Sequence, residues 1–456
     1  MSRNDKKKYE IDMCSGGIVG KMLLFTLPLM LSSILQLLFN AADVIVVGRF
    51  AGDNSLAAVG STGHLVSLLT NLFLGLSVGT NVMVARHLGA RKQEETSRTV
   101  HTSITIALIS GAFLTVIGVI GAKTFLQWMS SPAEVIDLST LYLRIYFLGM
   151  IPSMFYNFGA AVLRSVGDTR RPLYYLFAAG VLNLILNLFF VIVLKMDVAG
   201  VALATIISQT LSAVLVLQCL MREPGFIRLD LKKLGIDWSI CKDIMQIGLP
   251  SGFQGILFSF SNVTIQSSVN TFGATVVAAN SAAGNIEGFV WTAMNASHQA
   301  AVSFTGQNFG AGKMKRIPYI IRDALIIVIA TGVIMGRGAV YFAHPLVGLY
   351  SSNEEVIAYG MERLAWICGT YALCGTMDVL VGILRGLGYS IMPMIVSLVG
   401  VCGIRLLWIF TAFQWDRFHE LRYLYATYPA SWAFTICIHS ICLLYVWRKL
   451  TKKRID

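Results

Sequence analysis

Charge is scarce in this chain. Only 13% of its 456 residues are Asp, Glu, Lys or Arg, against roughly 25% in ordinary soluble domains. Hydrophobic residues make up 55% and the mean hydropathy is +0.68, a balance that excludes a soluble globular protein. No polar stretch is long enough to fold as a separate extramembrane domain. No HExxH and no clustered His or Cys spacing occurs, and no nucleophile–base pair stands out, so a membrane-embedded enzyme is not expected. The eight cysteines (Cys14, Cys219, Cys241, Cys368, Cys374, Cys402, Cys437, Cys442) are scattered, mostly within or beside apolar runs, and read as small hydrophobes. The N-terminus lacks an A-x-A cleavage site ahead of an overlong apolar segment, so a removed signal peptide is not expected.

What is present is a succession of apolar runs. Cut into spans of roughly 20 to 30 residues, they predict helices at 17–48, 55–88, 97–121, 133–163, 172–194, 198–221, 241–271, 275–309, 317–343, 354–384, 392–413 and 428–448. The fold class expected is therefore an all-α polytopic membrane protein with twelve transmembrane helices. The formal charge of +12 does not point to nucleic acid, because the basic residues sit in short segments between apolar runs. Arg3, Lys6, Lys7 and Lys8 precede the first span, Arg91, Lys92 and Arg98 follow the second, and Arg164, Arg170 and Arg171 follow the fourth. Arg222, Arg228, Lys232 and Lys233 follow the sixth, Lys313, Lys315 and Arg316 the eighth, and Arg448, Lys449, Lys452, Lys453 and Arg454 close the chain. Alternate loops are poor in Lys and Arg, so the positive-inside rule places both termini in the cytoplasm, consistent with an even number of spans.

An internal repeat organises the whole. Leu27-Pro28 pairs with Leu249-Pro250 (250 − 28 = 222), Gly89-Ala90-Arg91-Lys92 with Gly310-Ala311-Gly312-Lys313 (310 − 89 = 221), and Leu163-Arg164-Ser165-Val166-Gly167 with Leu384-Arg385-Gly386-Leu387-Gly388 (385 − 164 = 221). The chain is expected to be two six-helix bundles in a parallel repeat: 1–221, a polar cytoplasmic linker at 222–240, and 241–456. Such halves suit alternating access.

The first span carries an anomaly. Gln36, Asn40 and Asp43 share one helical stripe inside an apolar run. A charged Asp at bilayer depth costs at least about 2.5 to 3.5 kcal/mol, so the stripe faces a bundle interior or a wet cavity and is a functional candidate. Asn183 and Asn187 share a face of the fifth span, Thr205 lies on the sixth and Asn157 on the fourth. Together they are hard oxygen donors around one carboxylate, suited to a proton or small cation. Each amide taken alone also serves as interhelical hydrogen-bond glue.

In the second half, Glu287, Trp291, Met294 and His298 form one stripe on the eighth span. Asp378 lies in the tenth span at the repeat position of Asn157, and Asn262 and Gln266 add an amide pair on the seventh. Acid beside aromatic suits a lipophilic cation through charge and cation–π attraction. Glu287 and Asp378 are the candidates for substrate binding or a second coupling site, and His298 reads as a satisfied interior histidine. Arg337 is expected to snorkel to an interface, while Arg405 is a candidate partner for Asp378. His64 and His439 read as core or interface residues.

The motifs Asn40-Ala41-Ala42-Asp43 with Val47-Gly48-Arg49, Gly89-Ala90-Arg91, Leu163-Arg164-Ser165-Val166-Gly167-Asp168-Thr169, Gly306-Gln307-Asn308-Phe309-Gly310-Ala311 and Leu384-Arg385-Gly386-Leu387-Gly388 together resemble the multidrug and toxic compound extrusion (MATE) transporters over essentially the whole chain. The resemblance implies a V-shaped pair of six-helix bundles that exports organic, often cationic, compounds in exchange for protons or sodium ions. It also implies an N-lobe cation site at Asp43, Asn183, Asn187 and Thr205, where a sodium ion is the one metal to be considered. This chain departs from many similar proteins in having Asn187 where they have a second acid, which favours a protonatable Asp43 over sodium. The expected protein is an antiporter in a prokaryotic-type plasma membrane, with small organic substrates, membrane lipid around it, no nucleic-acid or stable protein partner, and no cofactor beyond the coupling ion. The alternative is a lipid-linked oligosaccharide or lipid flippase of similar architecture, which would need a cavity lined by Arg and Lys. A passive channel would leave the paired halves and their asymmetric acids without a purpose.

Overall fold

A computed structural model describes residues 9–129 and 132–452, apart from the side chains of Asp53 and His64. The basic residues Arg3, Lys6, Lys7, Lys8, Lys453 and Arg454 and the reading of His64 lie outside that description. The described residues are helical, with no strand among them.

In the N-terminal half, α1 spans Ile18–Phe50, α2 Asp53–Gly89, α3 Gln93–Trp128, α4 Ile136–Leu148, α5 Met150–Ser165, α6 Arg170–Leu188 and α7 Asp197–Arg222. The predicted span 133–163 is thus two helices, α4 and α5, bent by 48° where they meet. In the C-terminal half, α8 spans Trp238–Asn270, α9 Ala274–Gly310, α10 Ile317–Tyr341 and the short α11 Ala343–Gly348. There follow α12 Glu354–Ile367, α13 Tyr371–Gly386, α14 Ile391–Ser397, α15 Ile404–Phe410 and α16 Leu421–Lys452. A 3-10 turn at Cys368–Thr370 carries α12 into α13, and a π-helical turn at Leu398–Gly403 carries α14 into α15. Each of these joined pairs crosses as one span, giving six spans per half.

Length and composition alone recognise nine membrane-crossing helices among the described residues, or ten with the bent pair. The two that fall short are α8 and α9. Their deficit has a plain cause: Gln254, Ser261 and Asn262 on α8, and Asn280, Glu287, Asn295 and His298 on α9, dilute the apolar sequence. Polar residues in a membrane helix face protein or water, and most of these are buried against other helices, Gln254, Asn280, Glu287 and His298 among them.

The repeat is visible in the backbone. Left-handed residues recur in pairs 221 apart (273 − 52, 312 − 91, 388 − 167): Gly52 and Gly273 with φ 89° and 97°, Arg91 and Gly312 with 57° and 68°, Gly167 and Gly388 with 90° and 89°. The turns close with matched bonds. Lys92 N–H donates to His87 O at 3.0 Å as Lys313 N–H does to Asn308 O at 2.9 Å, and Asp168 N–H to Leu163 O at 3.0 Å as Tyr389 N–H does to Leu384 O at 2.9 Å. Arg91 is the one member without glycine's freedom; a left-handed non-glycine residue costs roughly 1 to 2 kcal/mol.

Contacts divide the chain into two compact units, one of Leu31–Gly252 with the residues up to Asp12, the other of Met13–Met30 with Phe253–Asp456. Both cuts fall inside continuous helices, two residues beyond Pro28 in α1 and two beyond Pro250 in α8. The opening of each half's first helix therefore counts with the other unit, whereas the sequence places the boundary in the linker at 222–240. That linker is folded onto α3: Arg98 Nη1 meets Asp237 Oδ2 at 2.9 Å, Asp237 N–H donates to Thr102 Oγ1 at 3.1 Å, and Asp230 N–H to His101 Nε2 at 3.0 Å.

Within the first unit, α2 and the start of α8 meet backbone to backbone. Gly75 and Gly79 face Gly248 and Gly252, small residues at four-residue spacing that allow helices to approach closely in lipid. A methyl group on Gly252 would stand 2.5 Å from Leu72 O and 2.6 Å from Leu72 Cα. Gly75-Leu76-Ser77-Val78-Gly79 also matches the G-x-S-x-G spacing of a serine nucleophile, but it lies in mid-helix, where Ser77 Oγ donates to Leu74 O at 2.7 Å. It has no strand-to-helix elbow to expose the hydroxyl. Gly252→Val is expected to lower stability by about 1 to 3 kcal/mol or more, read as a lower thermal midpoint in detergent; an unchanged midpoint would contradict the close approach.

Candidate functional site

The acid of the first span sits beside Val46 and Val47, which pack into a small apolar core with Ala58, Val59, Tyr142, Val191, Val198, Val201 and Ala202. α6 brings up Asn187, fully buried, whose Nδ2 donates to Asp43 Oδ1 and also to Asn183 Oδ1 at 3.2 Å. Asn187 Oδ1 is buried with no hydrogen-bond partner. The carboxylate and this unused carbonyl oxygen are both acceptors, an arrangement completed by a proton or a small cation.

The structure joins three of the seven predicted N-half residues: Asp43, Asn183 and Asn187. Thr205 Oγ1 donates to Val201 O at 2.9 Å in its own helix, and Asn157 Nδ2 to Ser153 O at 2.8 Å in its own. Gln36 and Asn40 are exposed and make no hydrogen bond to a described residue. The i, i+4 pair Tyr142 and Tyr146, stacked at 5.8 Å, was not foreseen; Tyr142 belongs to the core that holds Val46 and Val47. Among the described residues no three His, Cys, Asp or Glu stand close enough to hold a metal ion.

In the C-terminal half the predicted stripe divides. Glu287 is buried in a bidentate pair with Arg363, Nε to Oε1 at 2.7 Å and Nη2 to Oε2 at 2.9 Å. Met294 is buried, its sulfur in the notch left by Gly332 and Gly375. Trp291 is 46% exposed, outside this packing. His298 Nδ1 donates to the backbone carbonyl of Asp378 at 2.6 Å, which fixes the tautomer, and its Nε2 faces Arg385 Nη1 at 3.4 Å. Arg385 Nη2 donates to Gln254 Oε1 at 2.8 Å. This chain of Gln254, Arg385, His298 and Asp378 joins α8, α9 and α13. Asn262 is exposed, and Gln266 bonds to Asn270 at 2.9 Å, so these two amides do not pair with each other.

Arg405 does not meet Asp378. Its Nε donates to Ser431 Oγ at 3.0 Å and its guanidinium lies 4.0 Å from the Tyr428 ring centre; Arg385 lies seven residues beyond Asp378 on the same helix. Arg337 is exposed near the end of α10, as a snorkelling residue would be. Two further arginines, Arg363 and Arg385, are buried within spans, although the sequence reading singled out only Arg337 and Arg405 there. Arg385 is a lone cation in an apolar run, whereas Arg363 follows Glu362, which masks it as a surface pair.

At the turn before α6, Asp168 accepts from the N–H groups of Arg170 and Arg171, both at 3.1 Å, and pairs with the Arg171 side chain, which also pairs with Glu223. Asp168 and Glu223 are both almost fully buried. This triad pins the turn to the end of α7, a structural duty for the loop read as a cytoplasmic turn.

The comparisons agree with this arrangement. The profile of the family described as MatE matches residues 28–189 and again 250–411, once per half with an offset of 222 (250 − 28, 411 − 189). The probable multidrug resistance protein YoeA of Bacillus subtilis is 27% identical over 94% of both chains. The probable multidrug resistance protein YpnP of the same organism is 28% identical over 86% of this chain and 88% of its own. Among solved structures, an outward-facing multidrug resistance MATE transporter superposes with a TM-score of 0.90 at 22% identity, covering 96% of this chain and 98% of that one, and a MATE transporter in the bent conformation with 0.86 over 96% and 97%. With both halves of the family profile matched in order, the chain belongs to the MatE family.

Proposed function

We infer that this chain is a secondary-active multidrug efflux transporter, exporting organic, lipophilic cationic compounds across a plasma membrane by antiport with protons or sodium ions, with both termini in the cytoplasm. The observation that carries the reading is Asp43: one carboxylate in a span, held by the amide N–H of Asn187, whose own carbonyl oxygen is buried without a partner. A proton is favoured over sodium, because Asn187 supplies no second charge there. Ion and substrate need not touch; each biases the same conformational equilibrium, and the coupling is reciprocal.

The test is transport in liposomes. A fluorescent organic cation is followed under an imposed pH gradient and, separately, an imposed sodium gradient. Uphill movement driven by the pH gradient alone is the expected result. Drive by sodium alone would change the ion, and no uphill movement under either gradient would overturn the antiport reading.

A further inference from the structure

The C-terminal half holds a second buried constellation of opposite character. Arg363 and Arg405 flank one aromatic ring: their guanidinium carbons lie 5.9 and 4.0 Å from the centre of Tyr428. Glu287 neutralises Arg363. Arg405 is 4% exposed, has no carboxylate within ion-pair distance among the described residues, and leaves Nη2 buried without a hydrogen-bond partner. Beside the same aromatic cluster, Asn280 Oδ1 takes the Tyr425 hydroxyl at 2.7 Å, while Asn280 Nδ2 is likewise buried and unpaired. The cluster therefore carries one positive charge in excess and unused N–H donors. Aromatic stacking relieves part of the cost of burying a cation; an unpaired guanidinium at membrane depth still calls for an anion.

The repeat sharpens the contrast. Arg363 occupies the position of Tyr142 (363 − 142 = 221), and beyond the π-helical turn Leu398–Gly403 the offset of 222 puts Arg405 at the position of Asn183 (405 − 183 = 222). At the offset of 222 that the Leu-Pro pairs set for these two helices, Asp43 corresponds to Ile265 (265 − 43 = 222). The place that offers a carboxylate and oxygens in one half offers N–H donors and a cation in the other.

We propose that the C-terminal half contains an anion site at Arg405, where the guanidinium beside Tyr428 binds chloride or the carboxylate of a transported compound. The site does not depend on the ion-coupled export inferred above, and its test reads binding alone.

Purified protein in detergent is titrated with sodium chloride against sodium isethionate at constant sodium, following tryptophan fluorescence, with Trp432 lying 5.5 Å from the Arg405 guanidinium. A second series uses sodium acetate. A saturable response is expected in the wild type and none in Arg405→Gln. Arg405→Lys keeps the charge but loses the forked donor set, and the half-saturating concentration should rise about tenfold, as for loss of one charge-assisted bond. Response to chloride without acetate assigns an inorganic anion; response to acetate assigns a carboxylate group. Absence of a saturable response to either anion, or an equal response in Arg405→Gln, overturns the proposal. Should that variant not fold, wild-type crystals soaked in bromide decide: an anomalous peak within hydrogen-bond distance of Arg405 Nη2 is expected, and its absence refutes the site.

Discussion

Asp43→Asn is expected to abolish ion-coupled export while leaving the protein folded. The substitution keeps the shape of the side chain, and the new carbonyl oxygen can still accept from Asn187 Nδ2, the bond that Asp43 makes now. What disappears is the exchangeable charge. The Asp43 carboxylate accepts one bond from Asn187 and keeps acceptor capacity for a proton or a small cation. A neutral amide at position 43 mimics the protonated acid permanently: it can donate an N–H, but it has no proton to exchange and no charge to hold a cation. In liposomes, uphill movement of a fluorescent organic cation should fall to the level of protein-free vesicles under the driving gradient, with an unchanged thermal midpoint in detergent. Coupled efflux at the wild-type rate in Asp43→Asn would show that coupling lies elsewhere.

The fold was largely legible because membrane helices announce themselves by length and apolarity, and the repeat by offset. Gly167 and Gly388 stood out as paired motif residues, and their backbones share one left-handed conformation. The breaks inside spans were legible but unread: Gly149 and Pro152 mark the 48° bend between α4 and α5 within the run 133–163. The candidate sites were half legible. An acid in an apolar run is conspicuous, and so Asp43 and Glu287 were found. Their partners depend on which helices pack together, which periodicity within one helix does not report. Helical spacing put Gln36 and Asn40 on the stripe of Asp43, yet the residue that holds the acid is Asn187, 144 positions away. Arg363 was hidden for the same reason, since its meaning lies in Glu287, 76 residues distant.

That pair carries the second large expectation. Arg363→Met should destabilise the protein by about 3 to 5 kcal/mol, because it leaves the Glu287 carboxylate buried without its cation. Glu287→Leu alone should cost a comparable amount through the stranded guanidinium. The double variant Glu287→Leu/Arg363→Met removes both charges and should return most of that loss, since a buried pair replaced by apolar groups of similar volume is often close to neutral. Thermal midpoints of the four proteins in detergent close the cycle. Additive losses would mean that the two side chains do not act as a unit, against their bidentate geometry. Transport by the double variant then separates structure from chemistry. If it folds and exports at the wild-type rate, the pair serves only to join α9 and α12. If it folds and fails to export, Glu287 also meets the transported cation at some stage of the cycle, with Arg363 as the counter-charge that holds the carboxylate until substrate competes for it.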